Sequence, residues 1–193
     1  MVRLLSFAGS TREGSYNKKL AQLVQRIAEA NGIEAVFVDL KDYPMPIYNG
    51  DLEAAEGPPE RARAFKSLLQ EYQGVFIASP EYNASVTPLL KNTIDWVTRV
   101  RAKGESGLEV FKSRVFAIGG ASPGNYGGMR SLLQLRQILS VGTGALVIPQ
   151  QIAVPRAGSA FEEDGSLKDE GQQKLCTDTV EALAVCAKWF KPS

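Results

Sequence analysis

Five short apolar runs alternate with five stretches of helical periodicity, and that alternation leaves the chain few folds to choose from. The runs cover residues 3–8, 34–39, 74–79, 114–119 and 145–149. Apolar side chains then recur every three or four positions. Leu20, Leu23, Val24, Ile27 and Ala28 follow the first run, and Ala62, Phe65, Leu68, Leu69 and Tyr72 precede the third. Residues 87–100 form the next such stretch, Leu132, Leu133, Leu135, Ile138 and Leu139 mark another, and Leu175, Thr179, Leu183, Cys186 and Phe190 mark the last. Runs this short read as strands and the periodic stretches as helices. Strict alternation of the two predicts an α/β fold, a parallel sheet covered by helices on both faces. The third run, apolar nearly throughout, belongs near the centre of the sheet. Of the common doubly wound arrangements, five strands fit the order 2-1-3-4-5, in which strands one and three are neighbours at the switch point. No repeat or linker interrupts the 193 residues, so one domain over 1–193 is expected.

Three loops at strand ends carry the chemistry. The first is Gly9-Ser-Thr-Arg-Glu-Gly-Ser-Tyr-Asn17, lying between the first strand and a helix that begins near Asn17. A polar turn between a strand and a helix start directs backbone N–H groups and the positive end of the helix dipole at an anion. Ser10, Thr11, Ser15 and Asn17 add side-chain donors, and Arg12 adds a cation able to grip two phosphate oxygens. The loop lacks the Gly-Lys-Ser/Thr of a P-loop and the glycine spacing of the dinucleotide fingerprint. Its hydroxyls suit a terminal phosphomonoester; the plain alternative is an ordinary Ser/Gly turn. The second loop is Ser79-Pro-Glu-Tyr-Asn-Ala-Ser85, and the third is Gly120-Ala-Ser-Pro-Gly-Asn-Tyr-Gly-Gly128. In the order 2-1-3-4-5 the three lie side by side, so residues 10–17, 80–85 and 121–128 are expected to build one pocket.

Histidine is absent, which excludes Ser-His-Asp and Cys-His catalysis and any His-ligated metal. No metal site is expected. With 22 basic and 21 acidic side chains, the net charge of +1 offers no field for nucleic acid. No run is long enough to span a membrane and no leader is visible, so no membrane partner is expected. Cys176 and Cys186, ten apart in one helix, read as packing thiols in a reducing compartment, and cytoplasm is the expected location. Residues 43–57 are rich in Pro and Gly and read as structureless, either a binding loop or a surface connection. The stretch 87–100 carries two apolar stripes, Leu89, Trp96 and Val100 beside Leu90, Ile94 and Val97. A surface helix needs only one, so the second is a candidate subunit contact, with Trp96 in the core as the alternative.

A phosphate seat at one end, and backbone donors with an aromatic ring at the other, describe flavin mononucleotide (FMN). Amides near residues 81–83 would donate to the flavin carbonyls and N5, where reduction builds negative charge. A carboxylate at Glu81 is awkward beside such a ring and is expected to hold Arg12 or the loop itself. The first loop, the run Ser79-Pro-Glu-Tyr-Asn83, the run Lys91-Asn-Thr-Ile-Asp-Trp96 and the Gly-rich 122–128 together resemble the NADPH-dependent FMN reductase family. That family includes chromate, quinone and azo-dye reductases. The resemblance implies a flavodoxin-like fold with Ser10, Arg12, Ser15 and Asn17 on the FMN phosphate and Tyr16 in the same loop. Pro80, Glu81, Tyr82 and Asn83 would line the isoalloxazine, with Ser85, Ser122 and Gly124 nearby. It also implies a homodimer or homotetramer with flavin sites near subunit contacts. NADPH or NADH would pass hydride to flavin N5, and a quinone-type, azo, metal-oxyanion or free-flavin acceptor would collect the electrons. No side chain is assigned as catalytic, because the cofactor carries the chemistry. The competing readings are a flavodoxin-like electron carrier, which a net charge of +1 argues against, and a non-catalytic flavin-binding partner protein.

Overall fold

A computed structural model describes residues 2–190. Strands β1 (Arg3–Ala8), β2 (Glu34–Val38), β3 (Gly74–Ala78), β4 (Val115–Ala121) and β5 (Leu146–Val154) form an all-parallel sheet in the order β2-β1-β3-β4-β5. Among the described residues the helices are α1 (Tyr16–Ala30), α2 (Gly50–Glu56), α3 (Glu60–Gln70), α4 (Pro88–Arg99), α5 (Glu109–Lys112), α6 (Met129–Gln137), α7 (Ala157–Ala160) and α8 (Glu170–Trp189). This is the strand order that the alternation predicts and the flavodoxin-like fold that the resemblance implies, with the short α2, α5 and α7 added.

Side chains alternate across the pleat and sort the core into two layers. Leu4, Ala8, Phe76, Val115 and Ala117 pack with α1 and α8, through residues such as Leu20, Val24, Val180 and Leu183. Leu5, Phe7, Val75, Ile77 and Phe116 turn the other way, onto α3, α4 and α6, through Phe65, Leu90, Ile94 and Leu132. The long helices begin where a side-chain oxygen can close the first turn. Ser15 accepts from the Lys18 N–H, Thr87 from the Leu90 N–H ahead of Pro88 at the first helical position, and Asp169 from the Gln172 N–H.

Residues 43–57 are not structureless. Asn49 caps α2, and the segment before it straps onto α4. The Pro46 carbonyl accepts from Trp96 Nε1 at 2.7 Å and from Asn92 Nδ2 at 2.9 Å, and the Tyr48 N–H donates to Asn92 Oδ1 at 2.8 Å. The Tyr48 ring meets Trp96 edge-on, with centroids 5.0 Å apart. Trp96 is fully buried and faces the chain's own strap, while Leu90, Ile94 and Val97 face the core and Leu89 packs at its margin. That apolar pattern carries no argument for a subunit contact.

Two strands outrun their apolar runs. Pro149 has no N–H to give, and the pairing of β4 with β5 shifts register between Phe116 and Ile118. Arg136 covers carbonyls freed there, donating to Val147 O at 3.3 Å and Ile148 O at 2.9 Å. Pairing then resumes at Ile118 with Gln151 and runs to Ala121 with Val154. Gly119 lies inside β4 because a Cβ there would come within 2.7 Å of Phe76 Cζ.

Both cysteines are free. Cys176 is fully buried, and burial pushes its thiol up to about 12. Iodoacetamide should therefore label native protein at the partly exposed Cys186 and reach Cys176 only after denaturant is added. Peptide mass spectrometry reads the two sites separately, and equal labelling of the native state would overturn the packing described for α8.

Candidate functional site

Because β3 lies between β1 and β4, the loops leaving their C-terminal ends are adjacent. They enclose a cleft of about 150 Å³ lined by Ser10, Arg12, Ser15, Tyr16, Asn17, Pro80, Glu81, Tyr82, Ala121, Ser122 and Pro123. It sits at the β1/β3 switch point, where ligands bind in open parallel sheets. A larger groove of about 520 Å³ between α4 and α6 is lined mainly by apolar groups, including Val86, Pro88, Ile138 and Val141, and converges few donors. Ser85 faces that groove. Asn83 and Gly124 stand outside the cleft's lining, on the loops that frame it.

The first loop is held on three sides. The Gly9 N–H donates to the Ala78 carbonyl at 2.9 Å, and the Gly9 carbonyl accepts from the Thr87 hydroxyl at 2.7 Å. A Cβ on Gly9 would come within 2.9 Å of Leu90 Cβ, so only glycine lets α4 approach this closely. Lys18 turns inward from α1 and donates to the Thr11 carbonyl at 3.1 Å while pairing with Asp39 at 2.6 Å. Asn17 makes the third tie. Its Nδ2 donates to the Ala121 carbonyl at 2.8 Å, and its Oδ1 accepts the Ala121 N–H at 2.9 Å. The expected Asn17 side-chain donor is thus engaged with the protein, and what the residue offers a ligand is chiefly its backbone N–H.

What remains uncommitted is a set of donors. The N–H groups of Tyr16 and Asn17 belong to the first turn of α1, where no helical carbonyl reaches them. The Ser15 hydroxyl accepts as the cap and keeps its own hydrogen to donate, and Ser10 adds a second hydroxyl. Arg12 lies over the Tyr16 ring at 5.5 Å and makes no ion pair among the described residues. Glu13, exposed on the same loop, is not part of the lining.

Glu81 does not hold Arg12. Its Oε2 accepts the Arg130 N–H at 3.1 Å and its Oε1 accepts Arg130 Nε at 2.7 Å, with a further contact to Nη2. The carboxylate thereby closes the first turn of α6 and neutralises a guanidinium whose pKa this hydrogen bond raises. No free negative charge faces the cleft from this side chain. The turn it begins is tight: Tyr82 and Ser85 exchange both N–H···O bonds at 3.0 Å, and Asn83 and Ala84 between them are left-handed at φ 51° and 64°. This arrangement holds Tyr82 outward, 57% exposed, and on the third loop Tyr126, 70% exposed, lies under the Arg130 guanidinium at 5.7 Å. Gly127 and Gly128, at φ 59° and 87°, turn that loop into α6.

Uncommitted donors, one unpaired cation and no free carboxylate fit a phosphomonoester, and the exposed Tyr82 ring borders the same cleft. Lys18, Asp39, Thr87 and Arg130 were not expected as parts of the site. Helical phase is the one signal that could have flagged Lys18, which lies one turn before the buried Ala21.

Residues 2–159 match the family described as NADPH-dependent FMN reductase. An NAD(P)H-dependent FMN reductase of Pseudomonas aeruginosa is 32% identical over 185 residues, covering 94% of this chain and 93% of that protein. An NAD(P)H:quinone oxidoreductase of Solanum tuberosum is 36% identical over 200 residues, covering 99% and 95%. Among solved structures, the flavoenzyme NAD(P)H:(acceptor) oxidoreductase from Paracoccus denitrificans superposes with a TM-score of 0.79 at 29% identity, covering 97% of this chain and 98% of that one.

The Asn17 clamp is open to test. Asn17→Ala leaves the Ala121 N–H and carbonyl unpaired in a buried place, which should cost about 1–3 kcal/mol. Urea unfolding measures it, and an unchanged midpoint would show the clamp to be dispensable.

Proposed function

The chain belongs to the NADPH-dependent FMN reductase family, and we propose that it holds FMN in the cleft above β1, β3 and β4 and uses NAD(P)H to reduce quinone-type acceptors. The observation that carries this reading is the convergence of Arg12, two seryl hydroxyls and the first N–H groups of α1 on one cleft, with the nearby carboxylate already paired. These groups would hold the phosphate. Pro80, Glu81, Tyr82 and Asn83 on one side, and Ser122 and Gly124 on the other, would border the ring. When bound, FMN supplies the two-electron redox chemistry that no side chain here provides. The chain's own work is placement. The Asn17, Thr87 and Lys18 ties fix the donors in advance, so little ordering is left to be done on binding.

The exposed rings of Tyr82 and Tyr126 offer aromatic surface beside a guanidinium already paired with Glu81. No unpaired charge there selects one acceptor, so the proposal extends to azo compounds, metal oxyanions and free flavin. We further place the protein in the cytoplasm as a homodimer or homotetramer. Exposed Leu133 on α6, Val141 just beyond it and Leu146 on the edge strand β5 support self-association.

Protein incubated with FMN and desalted should be yellow, bleach on anaerobic NADPH and recover with benzoquinone. Failure to oxidise either NADPH or NADH with FMN present would overturn the reductase reading. Arg12→Ala should weaken FMN binding roughly tenfold to a hundredfold, the worth of a hydrogen bond to a charged group. Riboflavin, which lacks the phosphate, should bind both proteins alike in a fluorescence titration. Equal losses for the two ligands would remove Arg12 from the phosphate.

A further inference from the structure

A second cleft, of about 320 Å³, adjoins the loop that follows β4. Asn125, Arg156, Ser159, Lys168 and Gln172 line it with donors, and Asp169 is the one carboxylate present. Asp169 Oδ1 is engaged at the start of α8, accepting the Gln172 N–H at 2.7 Å. Arg156 and Lys168 are exposed and make no ion pair among the described residues. The wall of this cleft is tied to the first one. The Arg156 N–H donates to the Gly124 carbonyl at 3.1 Å, and the Ala157 N–H to the Ser122 carbonyl at 3.0 Å. The two clefts therefore flank one loop, Ala121 to Pro123 lining the first and Asn125 the second.

Arg156 is also conformationally unusual. At φ 50° and ψ 39° it is left-handed, a state glycine adopts freely and a bulky side chain does not. The other left-handed non-glycine residues among those described, Asn83 and Ala84, form the turn on the first cleft. The Arg156 side chain gives the fold little in return, a 3.3 Å bond from Nε to Asn125 Oδ1. Strain kept at a position where the side chain does little for the fold points to a ligand.

We infer that this cleft takes the phosphorylated adenosine end of NADPH, with Arg156 and Lys168 gripping the 2′-phosphate and setting the preference over NADH. A phosphomonoester presents three oxygens to a planar guanidinium fork and a mobile ammonium, and NADH carries no such group at this point. The inference rests on the reductase function proposed above.

Arg156→Gly tests it without threatening the fold, since glycine relieves the left-handed strain and thermal stability should hold or rise. Calorimetry on the FMN-loaded protein with adenosine 2′,5′-bisphosphate, against 5′-AMP as control, reads the cleft directly. Binding of the bisphosphate should fall about tenfold or more in Arg156→Gly and again in Lys168→Gln, the loss expected for a charged hydrogen bond. The KM for NADPH should rise in step, with the KM for NADH and the affinity for FMN unchanged. Undiminished bisphosphate binding in both variants, or equal losses for NADPH and NADH, would overturn the assignment. A wild-type protein that oxidises neither nucleotide would overturn the reductase reading, and the calorimetry would still decide whether the cleft takes a 2′-phosphate.

Discussion

One side-chain amide sets the geometry of the sheet's C-terminal edge. In a parallel sheet each loop leaves its strand alone, with no hairpin partner to fix it, so neighbouring loops need ties from outside the ladder. Asn17 supplies the longest of them, pairing with both backbone groups of Ala121 across 104 positions of sequence. Thr87 joins the start of α4 to the loop after β1, Lys18 joins that loop to the end of β2, and Glu81 joins the loop after β3 to α6. Each tie connects elements that follow different strands. Without them the sheet would keep its order and the loops their adjacency, but the donors of the cleft would not be fixed against one another.

The same ties settle the electrostatics. Lys18 and Asp39 are largely withdrawn from water and neutralise each other, and Glu81 does the same for Arg130. Pairs of this kind add little net stability, because desolvation offsets most of their attraction, but they hold the groups they bond in one place. Here those groups are the Thr11 carbonyl and the first turn of α6. With those charges cancelled, Arg12 makes no ion pair on the first cleft, nor do Arg156 and Lys168 on the second, among the described residues. On the proposed reading these are the cations that meet phosphate, on a chain whose overall charges nearly balance.

Strand order and loop position were legible because they are written locally. Apolar runs, helical phase and the glycines and prolines that end them occupy short windows, and handedness and switch-point rules do the rest. Pairings across the fold were not legible. Trp96 read as a possible subunit contact because its cover, the Pro46 carbonyl, lies 50 residues away in a segment with no periodicity. Glu81 looked misplaced because its partner stands 49 residues on. The second half of β5 was missed for a different reason: Gln150 is exposed and Gln151 half-buried on an edge strand, so no apolar run marks it. Arg156 and Lys168 stand twelve apart in sequence, and only the folded chain brings them onto one cleft.

Without histidine, the described clefts offer little beyond donors, cations and aromatic surface, and such groups discriminate by charge and shape instead of by proton transfer. On the proposed reading this divides the molecule's selectivity unevenly. The two phosphate-bearing ligands meet three cations, Arg12 for one and Arg156 with Lys168 for the other, and Arg156 is tied to the loop after β4 through its N–H to the Gly124 carbonyl. The acceptor meets only exposed aromatic surface, Tyr82 and Tyr126, where the guanidinium is already bonded to Glu81. A flat molecule gains there from apolar contact that every flat molecule shares. Tight choice of cofactor and loose choice of acceptor then follow from one arrangement of charges, because the fold leaves cations unpaired where phosphates arrive and cancels them where the acceptor does.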